Sequence, residues 1–184
     1  MYHFISAGHS NTDPGAVAKH GNVVYKEAVY TARLRNIVAA ECRSLGLQVS
    51  TDGVGENNSP RDAAIALARK ASGLQLDIHF NAATPQARGV EVIAEPSMKA
   101  WATRLAACVA EVLDSPLRGK GGWIQEEQSA RGRLAWMRLP RALLLEVCFI
   151  SNEEEFRRYR EREQAVGQTI ARVVAEYEDS FTKP

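Results

Sequence analysis

Ala142-Leu143-Leu144-Leu145-Glu146-Val147-Cys148-Phe149-Ile150 is the most apolar stretch of this 184-residue chain. It is far too short for a membrane helix, which needs roughly 20 consecutive apolar residues. Short, continuous apolar runs are typical of a strand that is buried on both faces of a sheet. The stretch therefore predicts a central strand that carries one carboxylate, Glu146, in its interior.

On both sides of this stretch, short apolar runs alternate with longer amphipathic ones. The periodicity predicts further strands at 4–7, 47–50, 76–80 and 89–94, and helices at 26–45, 60–72, 97–113 and 153–177. Two segments rich in glycine or small polar residues, 11–24 and 115–133, are predicted to be loops. This alternation predicts an α/β fold in a single domain over residues 1–184, with a mostly parallel twisted sheet flanked by helices on both faces.

Composition limits the partners of the chain. Hydrophobic residues make up 45% of it, which is enough to bury one substantial core. The 23 basic and 22 acidic residues leave a net charge of +1, so there is no strong field to favour nucleic acid as a partner. No stretch approaches the length of a membrane helix, so we expect no membrane span.

Candidate catalytic residues lie where predicted strands end, because reactive groups in parallel sheets gather beyond the carboxyl ends of the strands. His9 follows the first strand, and His79 lies near the end of the strand at 76–80. Glu146 is costly among apolar neighbours unless it has a partner or a function. Glu27, at the start of the first helix, is a fourth candidate. Two imidazoles and a carboxylate form a standard catalytic zinc set, although spacing alone also allows ordinary hydrogen-bonded histidines.

Several separate motifs together resemble the N-acetylmuramoyl-L-alanine amidase type 3 family. They occur in the order and approximate spacing of that family over nearly the whole chain. The matching segments are AGHSNTDPGA at 7–16, DIHFNA at 77–82, GVE at 89–91 and LEVCFISN at 145–152. Agreement of several motifs in order is more specific than any one of them. Cys148 departs from the small residue, usually glycine, that the family often has before the phenylalanine.

The resemblance implies a zinc-dependent hydrolase that cleaves the amide bond between N-acetylmuramic acid and L-alanine in peptidoglycan. It implies one zinc ion held by His9, Glu27 and His79, with Glu146 as the catalytic carboxylate. Two alternatives remain at this point. One is a zinc peptidase that cuts the peptidoglycan stem peptide, and the other is an inactive wall-binding module on the same fold. The presence of all four residues argues against the inactive module.

Three further residues, Asn81, Glu91 and Trp123, are candidates for supporting or substrate-binding roles. Glu91 is a candidate partner for a ligating histidine, because such histidines usually donate their other N–H to an acceptor. Asn81 is a candidate to orient a ligand or to touch substrate. Trp123 belongs to the glycine-bearing segment 119–132, which we expect to border the active site, where the indole can pack against sugar or peptide.

The start of the chain also bears on where such an enzyme acts. Residues 1–6 enter a predicted strand directly, without the basic and long apolar regions of a signal peptide. We therefore expect cytoplasmic synthesis, and no separate cell-wall-binding domain. This combination is typical of a phage or prophage endolysin that reaches the cell wall through a permeabilised membrane. A cytoplasmic or sporulation-linked host enzyme is the alternative.

Overall fold

The computed structural model describes residues 1–129 and 132–182. In chain order, the strands of this part are β1 (Tyr2–Ala7), β2 (Val17–His20), β3 (Val23–Lys26), β4 (Gln48–Thr51), β5 (Gln75–Asn81), β6 (Glu91–Ile93), β7 (Trp123–Ile124) and β8 (Ala142–Phe149). The α-helices are α1 (Glu27–Ser44), α2 (Arg61–Ala68), α3 (Lys99–Leu113) and α4 (Glu153–Thr182).

Six of the strands form one sheet in the order β4-β1-β5-β8-β6-β7. β1 pairs in parallel with β4 and β5, and β5 pairs in parallel with β8. β6 runs antiparallel to β8 and parallel to β7. Every residue of β8 is buried, as its apolar run predicted. The predicted α/β fold with a mostly parallel sheet is therefore confirmed.

Helices cover both faces of this sheet. α1, α3 and α4 pack on one face around a large core that includes Leu34, Leu105 and Ile170. α2 and a 3₁₀ turn at Ala135–Arg138 pack on the other face around a smaller apolar cluster, to which Ile65 and Trp136 belong. The functional groups described below lie on the face with the smaller cluster.

Residues 11–24, predicted as a loop, contain a hairpin instead. β2 and β3 pair antiparallel, with Val17 opposite Lys26 and His20 opposite Val23. The turn between them uses Gly21 at a φ of 59°, a conformation that glycine adopts without steric cost. The glycine and asparagine that suggested a loop mark this turn. The segment at 115–133 likewise contains the short strand β7.

The last helix, α4, runs to Thr182, further than its sequence pattern predicted. The side-chain oxygen of Asn152 accepts the backbone N–H of Glu155 at 3.0 Å, which is the usual geometry of an N-cap. Glu153, Glu154 and Glu155 occupy the first turn, where the helix dipole favours negative charge. Among the helices of residues 1–129 and 132–182, none has the length and apolar character that would let it cross a membrane.

Candidate metal centre and active-site cleft

Three acidic or imidazole side chains form a row across the sheet. His79 on β5 lies opposite Glu146 on β8, and Glu146 lies opposite Glu91 on β6. Side chains of directly opposed residues share one face, with Cβ atoms about 4.5–5.5 Å apart. Leu144, two residues before Glu146, belongs to the smaller apolar cluster and so identifies that face. The row places Glu146 beside His79 with only 2% of its surface exposed.

Glu27 is the first residue of α1 and is fully buried. One carboxylate oxygen, Oε1, lies 2.9 Å from His79 Nδ1 and accepts the backbone N–H of Phe80 at 3.0 Å. The other, Oε2, lies 3.0 Å from His9 Nε2 and accepts the backbone N–H of Ala16 at 2.8 Å. The N-terminus of a helix favours a carboxylate. The start of α1 therefore holds a charged group between the two histidines.

His9 reaches this cluster through an unusual backbone conformation. Its φ is 70°, in the left-handed region that residues other than glycine rarely adopt. The preceding residue, Gly8, donates its N–H to the Ile78 carbonyl at 2.8 Å and accepts the Thr31 hydroxyl at 2.8 Å. These bonds anchor the turn at the end of β1. A conformation that costs on the order of 1–3 kcal/mol persists only where its surroundings enforce it, and such positions cluster at functional sites.

Two glycines allow the cluster to pack closely. A Cβ atom on Gly8 would lie 2.3 Å from Cε1 of His79, so any larger residue there would displace the imidazole. A Cβ atom on Gly15 would lie 2.5 Å from Cδ2 of His9 and 2.6 Å from Oε2 of Glu27. Gly15 also has a φ of 65°. The motifs at 7–16 and 77–82 are thus linked by contact as well as by their order in the chain.

His9, Glu27 and His79 each offer one ligand atom, and these atoms all lie within 4.8 Å of one another. Zinc binds imidazole nitrogen and carboxylate oxygen at about 2.0–2.2 Å, so ligand atoms on one ion can be about 4 Å apart at most. The three groups would have to close by a small distance to share one ion. Two nitrogens and one oxygen are also the donor set of catalytic zinc sites. The residues present therefore fit a zinc ion.

The electrostatics of the cluster favour positive charge. Burial disfavours protonation of His79, but Asp77 and Glu27 outweigh it and raise the pKa of His79 to about 10. Burial likewise opposes a charged His9, yet the contact with Glu27 raises its pKa. For Glu27, the two imidazoles overcome burial and hold its pKa far below the usual range. The carboxylates thus favour positive charge on the two imidazoles, and the same negative charge would favour a divalent cation bound between them.

Each histidine has a second carboxylate partner. Nε2 of His79 lies 3.1 Å from Asp77 Oδ2, and Nδ1 of His9 lies 2.9 Å from Asp13 Oδ2. Such partners fix the orientation of metal-binding imidazoles. From the sequence, Glu91 was the candidate for this role, and Asp77 was not. Alternation along β5 could have identified Asp77, because it lies two residues before His79 and therefore shares its face.

Asp77→Asn is expected to weaken zinc binding by about 10–100-fold, the usual cost of losing a partner that orients a ligand. The substitution keeps the size of the side chain and removes the charge that faces His79. A competition titration against a chromogenic chelator measures the affinity. Asp62→Asn is the matched control, because the Asp62 side chain is 85% exposed. Equal zinc affinity in Asp77→Asn and wild type would show that Asp77 does not support the site.

Asn81 and Glu91 contact each other at the edge of the row. The Asn81 carboxamide donates to Glu91 Oε1 at 2.8 Å, and the Arg118 guanidinium donates to Glu91 Oε2 at 2.7 Å. Arg118 also lies over the ring of Phe149, 4.8 Å from its centroid. Glu91 is thus one strand beyond Glu146 and is bonded to groups other than His79. The hydrogen bond between Asn81 and Glu91 joins the end of β5 to the start of β6.

Trp123 lies on the edge strand β7 and does not line the cleft described below. Its indole N–H donates to the carbonyl of Ala94 at 2.9 Å, and the Lys99 ammonium lies 4.7 Å from a ring centroid. The ring is half-buried against the larger core. None of the described residues of segment 119–132 lines the cleft, and the wall on this side begins with the next residue, Arg133. The expectation that this segment borders the active site is therefore not met by the lining of the cleft.

Trp123→Phe is expected to lower the free energy of unfolding by about 0.5–1.5 kcal/mol, since a phenyl ring still fills part of the space of the indole and one neutral hydrogen bond is lost. We expect kcat and KM to be unchanged, because Trp123 does not line the cleft. Denaturant unfolding and steady-state kinetics measure the two effects. A several-fold rise in KM at unchanged stability would instead give Trp123 a substrate contact.

A cleft of about 520 Å³ opens over the cluster. Its floor is built from the ends of β1 and β5, and its walls from the start of α2 and from the segment before β8. The lining includes Gly8, His9, Asp77 and His79 on the floor, with Ser59, Pro60 and Arg61 on one wall and Arg133, Leu134 and Trp136 on the other. The cleft gives a substrate access to the histidines, and Glu146 lies beside them within the sheet.

The sheet and its cleft define an α/β enzyme whose reactive groups gather at the carboxyl ends of the strands, with a histidine–glutamate–histidine group suited to a metal. The chain belongs to the N-acetylmuramoyl-L-alanine amidase family, whose sequence profile matches residues 4–176. It is therefore an amidase, a hydrolase of peptidoglycan. No curated protein matches this sequence.

Solved structures agree with this assignment. A protein described as an N-acetylmuramoyl-L-alanine amidase from Neisseria meningitidis is 33% identical, with a TM-score of 0.82 over 95% of this chain and 94% of that chain. The catalytic domain of the amidase CwlV from Bacillus (Paenibacillus) polymyxa var. colistinus has a TM-score of 0.78 at 23% identity, covering 97% of this chain and 99% of that one. The catalytic domain of the CD27L endolysin, which targets Clostridia difficile, has a TM-score of 0.70 at 19% identity, covering 96% and 97%. The last two show a shared fold alone.

Proposed function

We propose that this chain binds one zinc ion through His9, Glu27 and His79 and hydrolyses the amide bond between N-acetylmuramic acid and L-alanine. The observation that carries the proposal is the cluster itself. Three ligand atoms lie within 4.8 Å of one another, the two histidines line the floor of a cleft, and Glu146 lies on the neighbouring strand. Membership of the amidase family supports the choice of bond.

A zinc ion held by His9, Glu27 and His79 would supply Lewis acidity, which would polarise an amide carbonyl and make water a better nucleophile at neutral pH. Glu146 is the general base and acid. Its carboxylate takes a proton from the attacking water and then passes a proton to the departing nitrogen of L-alanine. The nitrogen leaves as a neutral amine, and the muramyl carbonyl becomes a carboxylic acid, which releases its remaining proton to solvent at neutral pH to give the carboxylate.

The other residues hold these groups in place. Asp77 and Asp13 orient the two imidazoles, and the backbone N–H groups of Ala16 and Phe80 orient the Glu27 carboxylate. A site whose ligands are fixed before substrate binds loses little free energy in reorganisation during the reaction. These contacts support Glu27 as a ligand and leave Glu146, on the next strand, for proton transfer.

The biological role that we propose is lysis of the bacterial cell wall, as in an endolysin. Cleavage of the amide between glycan and peptide removes the cross-links from the glycan strands. Addition of the zinc-loaded protein to bacteria with a permeabilised outer or cytoplasmic membrane tests the role. A fall in turbidity with wild type, and none with Glu146→Gln, is the expected result. Unchanged turbidity with a protein that cleaves isolated peptidoglycan would argue for a non-lytic role.

Product analysis tests the proposed reaction directly. Zinc-loaded protein is incubated with purified peptidoglycan, and the released ends are identified by mass spectrometry. The amidase exposes a new N-terminal L-alanine and leaves the muramyl lactyl carboxylate free. A zinc peptidase would instead leave L-alanine attached to the sugar and open a bond within the stem peptide. An inactive wall-binding module would sediment with peptidoglycan and release nothing.

A further inference from the structure

The acidic and basic side chains that line the cleft differ in how far they are bonded to the rest of the protein. Its two carboxylates, Asp13 and Asp77, both face histidines of the cluster, and Asp13 also accepts the backbone N–H of Gly15. Two arginines, Arg61 and Arg133, line the opposing walls. The carboxylates are thus bonded within the site, whereas the guanidinium groups lie on the walls that a substrate would pass.

Neither arginine is held by a strong ion pair. Arg61 lies 3.2 Å from Asp62, but the two side chains are 76% and 85% exposed, and exposed pairs of this kind are weak. Arg133 is exposed and has no ion-pair partner within the described portions of the chain. A ligand carboxylate can therefore engage either guanidinium without first breaking a strong contact.

The wall that carries Arg61 is braced from inside the protein. Arg35, fully buried on α1, donates to Asp52 Oδ1 at 3.0 Å and to the carbonyls of Asn57 at 3.2 Å and Gly55 at 2.8 Å. Asn11 adds a bond from its carboxamide to Asn57 at 3.0 Å. These contacts hold the loop between β4 and α2 in place. Arg61 is the first residue after this loop, so the position of its backbone is well defined.

We propose that Arg61 and Arg133 bind a free carboxylate of the peptidoglycan stem peptide and so select acidic stem peptides over amidated ones. The inference rests on the proposed function, since it places the peptide of the scissile amide in this cleft. An arginine fork matches the geometry of a carboxylate, and such charge-assisted bonds are about twice as strong as neutral ones. The scissile amide is neutral and would form no ion pair with two arginines. The peptide beyond L-alanine, in contrast, carries free carboxylates unless they are amidated.

Two muramoyl dipeptides test this selection, one ending in γ-linked D-glutamate with a free α-carboxylate and the other with that carboxylate amidated. Binding is measured by calorimetry on zinc-loaded Glu146→Gln protein, so that it can be read without turnover. We expect the free acid to bind about 10-fold more tightly, in line with a solvent-accessible charge-assisted contact. Adding Arg61→Gln and Arg133→Gln should remove that preference while binding of the amidated dipeptide changes by less than about twofold.

Arg69→Gln and Arg138→Gln are the matched controls, because both residues are exposed in the same two segments and neither lines the cleft. Both controls should retain the preference for the free acid. Equal binding of the two dipeptides, or equal loss of both in the double variant, would overturn the inference. The free acid could bind more tightly while the active protein cleaves neither dipeptide nor peptidoglycan. That result would contradict the proposed hydrolysis but would still support a carboxylate-binding site at Arg61 and Arg133.

Discussion

Glu146→Gln is expected to fold and to bind zinc as the wild type does, while its turnover of peptidoglycan falls by about 10²–10⁴-fold, the usual contribution of general acid–base catalysis. Glutamine keeps the shape of the side chain and some of its hydrogen bonding but removes its basicity. Zinc binding should survive because the three proposed ligand atoms belong to His9, Glu27 and His79. Circular dichroism, elemental analysis and kinetics on one preparation measure the three properties.

Two results would count against this role of Glu146. Loss of zinc in the variant would make Glu146 a ligand and would release Glu27 from that role. Near-normal turnover would make Glu146 a structural residue. Glu91, which lies opposite it on β6, would then become the next candidate base. Glu161→Gln is the matched control, because Glu161 is an exposed glutamate on α4 that does not line the cleft.

His79→Ala is expected to lose stoichiometric zinc and, with it, the amidase activity. The loss of affinity should exceed the about 10–100-fold expected for removal of an outer partner such as Asp77, because a ligand atom itself is lost. Elemental analysis of freshly purified protein and a chelator titration measure the effect. The truncation also leaves Glu27 without one of its two imidazole partners.

His20→Ala serves as the control for His79→Ala, because His20 lies on the β2–β3 hairpin and packs against the rings of Tyr25 and Phe156. It should retain zinc. A thermal melt of both variants separates a local loss of metal from global unfolding. Stoichiometric zinc at wild-type affinity in a folded His79→Ala protein would refute the ligand assignment.

The sequence predicted the parts of the fold that depend on local pattern. The apolar run at 142–150 identified the central strand, and helical periodicity located α1 with Glu27 at its start. The hairpin in residues 11–24 was missed because its strands have four residues each, too few for alternation to outweigh the glycine and asparagine of the turn. Predictions of short strands are weak because pairing with a neighbouring strand stabilises them.

Less of the candidate site could be predicted, because its contacts join distant parts of the chain. The motif order suggested that His9, Glu27 and His79 meet, and the structure brings them together. Asp77 was overlooked although strand alternation places it beside His79. Arg61 and Arg133 belong to the cleft only because α2 and the segment before β8 fold over the same face, which no local pattern encodes.

α1 connects the histidine cluster to one wall of the cleft. Its first residue is Glu27, between the histidines, and two turns later Arg35 holds the loop at 52–59 through buried bonds. One helix thus carries both the carboxylate that lies between the two histidines and the arginine that braces one wall of the cleft. Opening of that loop therefore requires the buried bonds of Arg35 to break, which couples the local stability of the loop to that of α1.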